Sequence, residues 1–145
     1  MKKLAVFLLL ASGLAGVGRS EESGVLKIVV LEGDGAFNNM KKRIGRDPVV
    51  EVRDEKDHPV AGAKVVFTLP PDGPSATFDG GGRVFRATTD ERGRAATKGL
   101  KPNSTEGRYK IAVTASWSSR SGYAAISQSN TLAGGAIILK NGGKE

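Results

Sequence analysis

The sequence has no cysteine, one histidine, one tryptophan and only two tyrosines in 145 residues. Without cysteine there is no disulfide and no thiolate chemistry, so the fold must rest on its core alone. The single histidine, His58, lies in a turn between Asp57 and Pro59. It has no cysteine to activate, and no G-x-S-x-G elbow is present to supply a serine nucleophile. No enzyme activity and no cofactor are expected. A loop of the D-x-D-x-D-G kind is also missing, so Asp54, Asp57 and Asp90 read as turn-capping residues before calcium ligands, and no metal site is expected. The aromatics are too few for a base-stacking platform, which argues against nucleic acid as a partner.

Long apolar runs are absent as well. The N-terminal charge-free stretch, Leu4 to Gly18, follows Met1-Lys2-Lys3 and ends in small residues before Arg19-Ser20-Glu21-Glu22. A bilayer-spanning helix needs about 20 apolar residues, so this pattern is that of a cleavable secretory signal over residues 1–20. Cleavage is expected after Gly18 or Ser20. Val17 stands where a lipoprotein signal would need a lipid-accepting cysteine, which excludes lipidation. The mature chain is then exported (periplasmic, cell-surface or secreted) and does not span the membrane. Removal of Lys2, Lys3 and Arg19 leaves 19 basic and 15 acidic side chains, a net charge near +4. Such an excess favours anionic partners.

What is present from Val25 onward is a series of short apolar runs separated by turn residues, the mark of a sandwich or barrel. Val25–Leu31 reads as a strand and Glu32-Gly33-Asp34-Gly35 breaks it. Residues 36–47 have no clear period, and a helical turn is expected around Asn39–Ile44. Val50 and Val52 then alternate with Glu51 and Arg53. Ala63, Val65, Phe67 and Leu69 define one buried face. Ala76-Thr77-Phe78 and Val84–Thr89 are extended. Asp90-Glu91-Arg92-Gly93 reads as a type I turn closed by a left-handed glycine, making a hairpin with Arg94–Leu100. Tyr109, Ile111, Val113, Ala115 and Trp117 alternate strictly with polar or small residues, which places Trp117 in the core. Ser118 to Gly122 turns the chain into a last strand, Tyr123–Gln128. No stretch keeps a helical period.

The fold class is therefore all-β, an immunoglobulin-like β-sandwich of about seven strands. The chain divides into the signal (1–20), an N-terminal strand with an irregular basic loop (21–47), the sandwich core (48–130) and a Gly-rich tail (131–145) that could form an edge strand.

Three motifs resemble a known family. Asp54–Val66 reads D-E-K-D-H-P-V-A-G-A-K-V-V, similar to the D-x-x-G-x-P-V-x-G-x-x-V opening of bacterial immunoglobulin-like domains of group 1, the invasin/intimin-like type. Thr89–Ala95 resembles that family's T-D-x-x-G-x-A hairpin, and Gly107–Ala115 its penultimate strand. Asp57 stands where the family has glycine, a change a left-handed aspartate tolerates. The resemblance implies a tyrosine corner at Tyr109. Carboxypeptidase regulatory-like and transthyretin-like sandwiches share the same opening, and Leu100-Lys101-Pro102 suits them too.

Binding on such a scaffold is expected on loops. The candidate partner-binding residues are Phe37, Asn38, Asn39, Met40, Lys41, Lys42, Arg43 and Arg46, which hold the densest basic patch. The expected partner is an envelope protein or a glycan. In the glycan reading, Trp117 and Tyr123 flank the last turn and could stack on a sugar ring. Asn103-Ser104-Thr105 fits a glycosylation sequon, a pattern that carries no meaning with a bacterial signal. The chain is expected to be a monomer or a weak edge-to-edge oligomer.

Overall fold

Residues 24–132 are described by a computed structural model; the expected leader (1–20) and nearly all of the expected tail (131–145) lie outside them. The described residues contain strands, turns and no helix, and so no helix able to cross a membrane.

Ten extended segments follow in order: β1 (Lys27–Glu32), β2 (Ala36–Asn39), β3 (Val49–Arg53), β4 (Lys64–Thr68), β5 (Ala76–Thr77), β6 (Val84–Thr88), β7 (Arg94–Ala96), β8 (Lys101–Pro102), β9 (Gly107–Trp117) and β10 (Arg120–Thr131). One sheet has the order β1-β3-β7 and the other β2-β10-β9-β4-β6, with β5 and β8 paired separately. All pairings are antiparallel except β2 with β10, which is parallel.

The two larger sheets enclose one core. Val50 and Val52 come from the first, and Val65, Phe67, Ile111, Val113 and Ile126 from the second; all seven are fully buried. Phe85 closes one end, edge-on to Phe67 at 6.4 Å and tilted against Phe78 at 5.5 Å. Full burial of one such side chain contributes roughly 2 kcal/mol. A few of them together outweigh the ~2–4 kcal/mol of a typical disulfide, which is how the chain dispenses with cysteine. The expected inward face Ala63, Val65, Phe67, Leu69 is buried throughout.

The sequence motifs form local devices. Asp90 Oδ1 accepts the backbone N–H groups of Arg92 (2.8 Å) and Arg94 (3.0 Å), and Gly93 lies at φ +78° as expected. Asp57 adopts φ +67°, so aspartate does hold the left-handed position. Thr89 joins two of the motifs: its buried hydroxyl donates to Val60 O (2.6 Å) and accepts the Ala63 N–H (2.8 Å).

Several expectations are corrected. Residues 36–39 form strand β2, and the segment around Asn39–Ile44 is a non-helical turn closed by an antiparallel bridge between those two residues. The Asp90–Gly93 turn is right, but it does not close a hairpin: β6 pairs with β4, and β7 crosses to pair with β3 in the other sheet. The last turn comprises only Ser118 and Ser119, and β10 runs from Arg120 to Thr131, longer at both ends than expected.

Candidate interaction surface

The segment expected to bind a partner is built into the sheet. In β2, alternation sends Phe37 and Asn39 outward and Asn38 inward. Phe37 is 43% exposed, Asn39 and Met40 are half-buried, and Lys41, Lys42, Arg43 and Arg46 are exposed. Asn38 is fully buried, which removes it from the contact set.

Asn38 belongs to a buried polar network that alternation along β10 assembles. Gln128 and Asn130 are in phase with the buried Ile126, so their amides point into the sandwich. Asn38 Nδ2 donates to Tyr109 Oη (2.9 Å), Gln128 Oε1 (2.9 Å) and Asn130 Oδ1 (3.2 Å), sharing two protons among three acceptors. Tyr109 Oη in turn donates to Gln128 Oε1 at 2.9 Å. The tyrosine thus bonds a side-chain amide, not the backbone behind it as a tyrosine corner would. Burial pushes its phenol up to about 12, against the opposing effect of the Asn38 bond.

The outer ends of this network hold loops. Gln128 Nε2 donates to Gly33 O (3.1 Å) and Arg46 O (2.9 Å), and Asn38 Oδ1 accepts the Arg46 N–H (3.1 Å). The segment 33–46 is therefore clamped at both ends. Asn130 Nδ2 donates to Ser75 O (2.8 Å), Asn103 Oδ1 and Thr105 O (both 3.2 Å). Asn103 is a structural residue here, its own Nδ2 donating to Gly73 O at 2.9 Å.

The basic tip is ordered by its own bonds. Asn39 and Ile44 exchange backbone hydrogen bonds (2.9 and 3.1 Å), and Asn39 Oδ1 accepts the Lys42 N–H at 3.0 Å. Arg43 sits at φ +55°. None of Lys41, Lys42, Arg43 and Arg46 forms an ion pair with a described residue.

Next to this tip lies the outer face of the five-stranded sheet, with cross-strand rows fixed by register. They run Thr88–Lys64–Ser116–Ser121, then Arg86–Val66–Thr114–Tyr123, then Val84–Thr68–Ala112–Ala125, then Lys110–Ser127, then Arg108–Ser129–Phe37. These rows contain four cations and no carboxylate.

The hairpin end differs from expectation. Trp117 is 40% exposed, one pleat beyond the last buried residue, Ala115, and the Arg120 guanidinium lies 5.9 Å from its ring centroid. Such an exposed cation–π contact contributes about 0.5–1 kcal/mol. Tyr123 is 67% exposed. Trp117 shares the inward phase of Ala115, whereas Tyr123 pairs with outward Thr114, so the two rings do not form one platform.

At the turns, each aspartate is already engaged. Asp54 Oδ1 accepts the N–H groups of His58 and Lys56 (both 2.9 Å), and Asp57 Oδ1 meets Lys27 Nζ at 3.1 Å. The His58 N–H bond foremost holds the Asp54 carboxyl below its usual range, and the Arg94 N–H does the same for Asp90. No group of three or more metal-ligating side chains occurs among the described residues. The His58 imidazole, 71% exposed, lies 3.6 Å from Asp54. Glu51, on the outer face of the small sheet, bridges Arg53 (2.8 Å) and Arg94 (3.1 Å).

Sequence reasoning missed Gln128, Asn130 and the outward cations of β4, β6 and β9. The signal for the two amides was their phase with Ile126. No protein-family model matches this chain, and neither a curated protein nor a solved structure matches it at a significant level.

Proposed function

We propose that this chain is a non-catalytic, exported immunoglobulin-like module that engages a partner at a bacterial cell envelope. The observation that carries this reading is the clamped segment 33–46. A buried amide network holds both its ends, and its tip displays Lys41, Lys42, Arg43 and Arg46 without a described counter-ion. Burying so many polar groups is tolerated only when they are mutually satisfied, and the outcome is a rigid loop, which binds with less ordering cost. The immunoglobulin-like assignment draws support from Thr89, whose hydroxyl ties the Pro59–Ala63 stretch to the Thr89–Ala95 stretch, two of the motifs behind the resemblance. The lysine-led apolar leader supports export.

Alanine replacement of Lys41, Lys42, Arg43 and Arg46 tests the module. Pull-down from an envelope fraction is expected to lose its partner with this variant; unchanged capture overturns the role of the tip.

A second reading is carbohydrate binding, favoured by the exposure of Phe37, Trp117 and Tyr123. Because Trp117 and Tyr123 face opposite ways, a glycan would use one of them together with polar neighbours. Glycan-array binding that survives loss of Tyr123 and Phe37 would exclude the outer face of the large sheet as an aromatic-dependent site.

A further inference from the structure

The face formed by β2, β10, β9, β4 and β6 has no covering layer among the described residues, and its chemistry is one-sided. Lys64 and Arg86 stand at one corner, and Arg108 and Lys110 at the opposite one. None of the four forms an ion pair with a described residue. The row between them, Val84–Thr68–Ala112–Ala125, is uncharged. Along β9, Lys110 and the Ser116 that faces Lys64 are six residues apart, so the cation pairs are separated by about 20 Å.

The surface is relieved, not flat. Depressions of about 380 and 390 Å³ lie at the two cationic corners, one against Lys64 and Arg86, the other against Arg108, Lys110 and Phe37. One carboxylate borders the second depression, Asp34, and its Oδ1 is held by the Ser127 N–H at 2.9 Å. Tyr123 and Phe37 present exposed rings on this face, Ser127 lines the second depression, and Thr68 and Thr114 stand on neighbouring outward rows.

Resting on the reading of this chain as an exported binding module, we propose that this sheet face binds an acidic polysaccharide, a polymer of uronate-type sugars. Charge complementarity selects a polyanion. The separation of the cations into two pairs suits an extended polymer with repeated carboxylates over a single small anion. The two depressions suit sugar units that enter the surface better than a plane of headgroups, which would meet only the lysines and arginines beside them. Sugar hydroxyls match the Ser and Thr hydroxyls between the cations, and pyranose faces match the rings.

The test is binding of the folded chain to polygalacturonate, measured by calorimetry, with its fully methyl-esterified counterpart as the uncharged control. Binding to the acid form only, weakening with added salt, is expected. The variants Lys64→Ser/Arg86→Ser and Arg108→Ser/Lys110→Ser should each weaken it about tenfold, as loss of two exposed charge contacts would. Lys56→Ser/Arg92→Ser removes the same charge from turns elsewhere and should leave binding within about twofold of the parent. Equal loss in all three variants means diffuse attraction and overturns the site. Tighter binding to phosphatidylglycerol vesicles or to a single-stranded oligonucleotide than to polygalacturonate overturns the choice of ligand. If envelope pull-down succeeds while polygalacturonate is ignored, this inference fails and the module reading stands.

Discussion

Asn38 Nδ2 and Gln128 Oε1 lie 2.9 Å apart across 90 residues of chain, and this bond couples the parallel edge strand to the longest strand of the sheet. Asn38→Ala would leave Gln128, Tyr109 and the Arg46 N–H short of partners in a buried site. A loss of about 2–4 kcal/mol is expected, measurable by urea denaturation. Combined with Tyr109→Phe, the losses should be non-additive by more than about 0.5 kcal/mol. Strict additivity would show that the network is a set of independent bonds.

Tyr109 makes stability depend on alkaline pH. Its folded value, raised to about 12 from 10.0, means the folded state keeps a proton that the unfolded state releases. Its contribution is whole below pH 10 and is lost as pH rises towards 12, amounting to about 2 kcal/mol. The difference between parent and Tyr109→Phe should shrink by that amount across this window. A constant difference would contradict it.

Glu51 acts at the opposite end of the scale. The Arg53 hydrogen bond foremost lowers its carboxyl against the effect of burial, with Arg94 adding to the lowering. Its stabilisation is present above the ordinary value of 4.5 and disappears as pH falls through the lower folded value. Glu51→Gln should therefore be less stable than the parent at neutral pH and no longer so at pH 2–3, read from acid-limb melting curves.

Gly122 has no room for a side chain. A Cβ added there would collide with the carbonyl oxygen of Leu26, whose own N–H bonds Ser121 O at 2.8 Å. The obstacle is backbone and cannot swing aside, so Gly122→Ala is expected to cost roughly 2–3 kcal/mol by thermal melting. A neutral result would mean that the approach to β1 is loosely held against β10.

Alternation made the centre of the sandwich legible, because a period of two on Ala63–Leu69 and Tyr109–Ala115 admits only one buried face. It failed where a strand outruns the core: Trp117 keeps the phase of Ala115, but burial ends one pleat earlier and Arg120 takes the place of core neighbours. β2 was hidden for the converse reason. Its outward residue is Phe37 and its inward one is Asn38, so its hydrophobic pattern points the wrong way, and only the amides of Gln128 and Asn130 account for it. The turn at Asp90 could be read because its bonds are local. The sheet that β7 joins is settled by long-range packing, which four turn residues do not encode. The cations of the large sheet could be read as solvent-facing, but not as neighbours, since their grouping depends on the register of three strands.

The margins of the five-stranded sheet are unequal. On the β2 side, the chain's own return covers the end of the strand through the reciprocal bonds of Asn39 and Ile44. On the other side, β6 has β4 as its only partner in the sheet among the described residues. A strand recruited from another molecule would thus meet the longer stretch of open backbone along β6. Two copies joined β6 to β6 would use up that margin in both, which favours a pair over a growing stack.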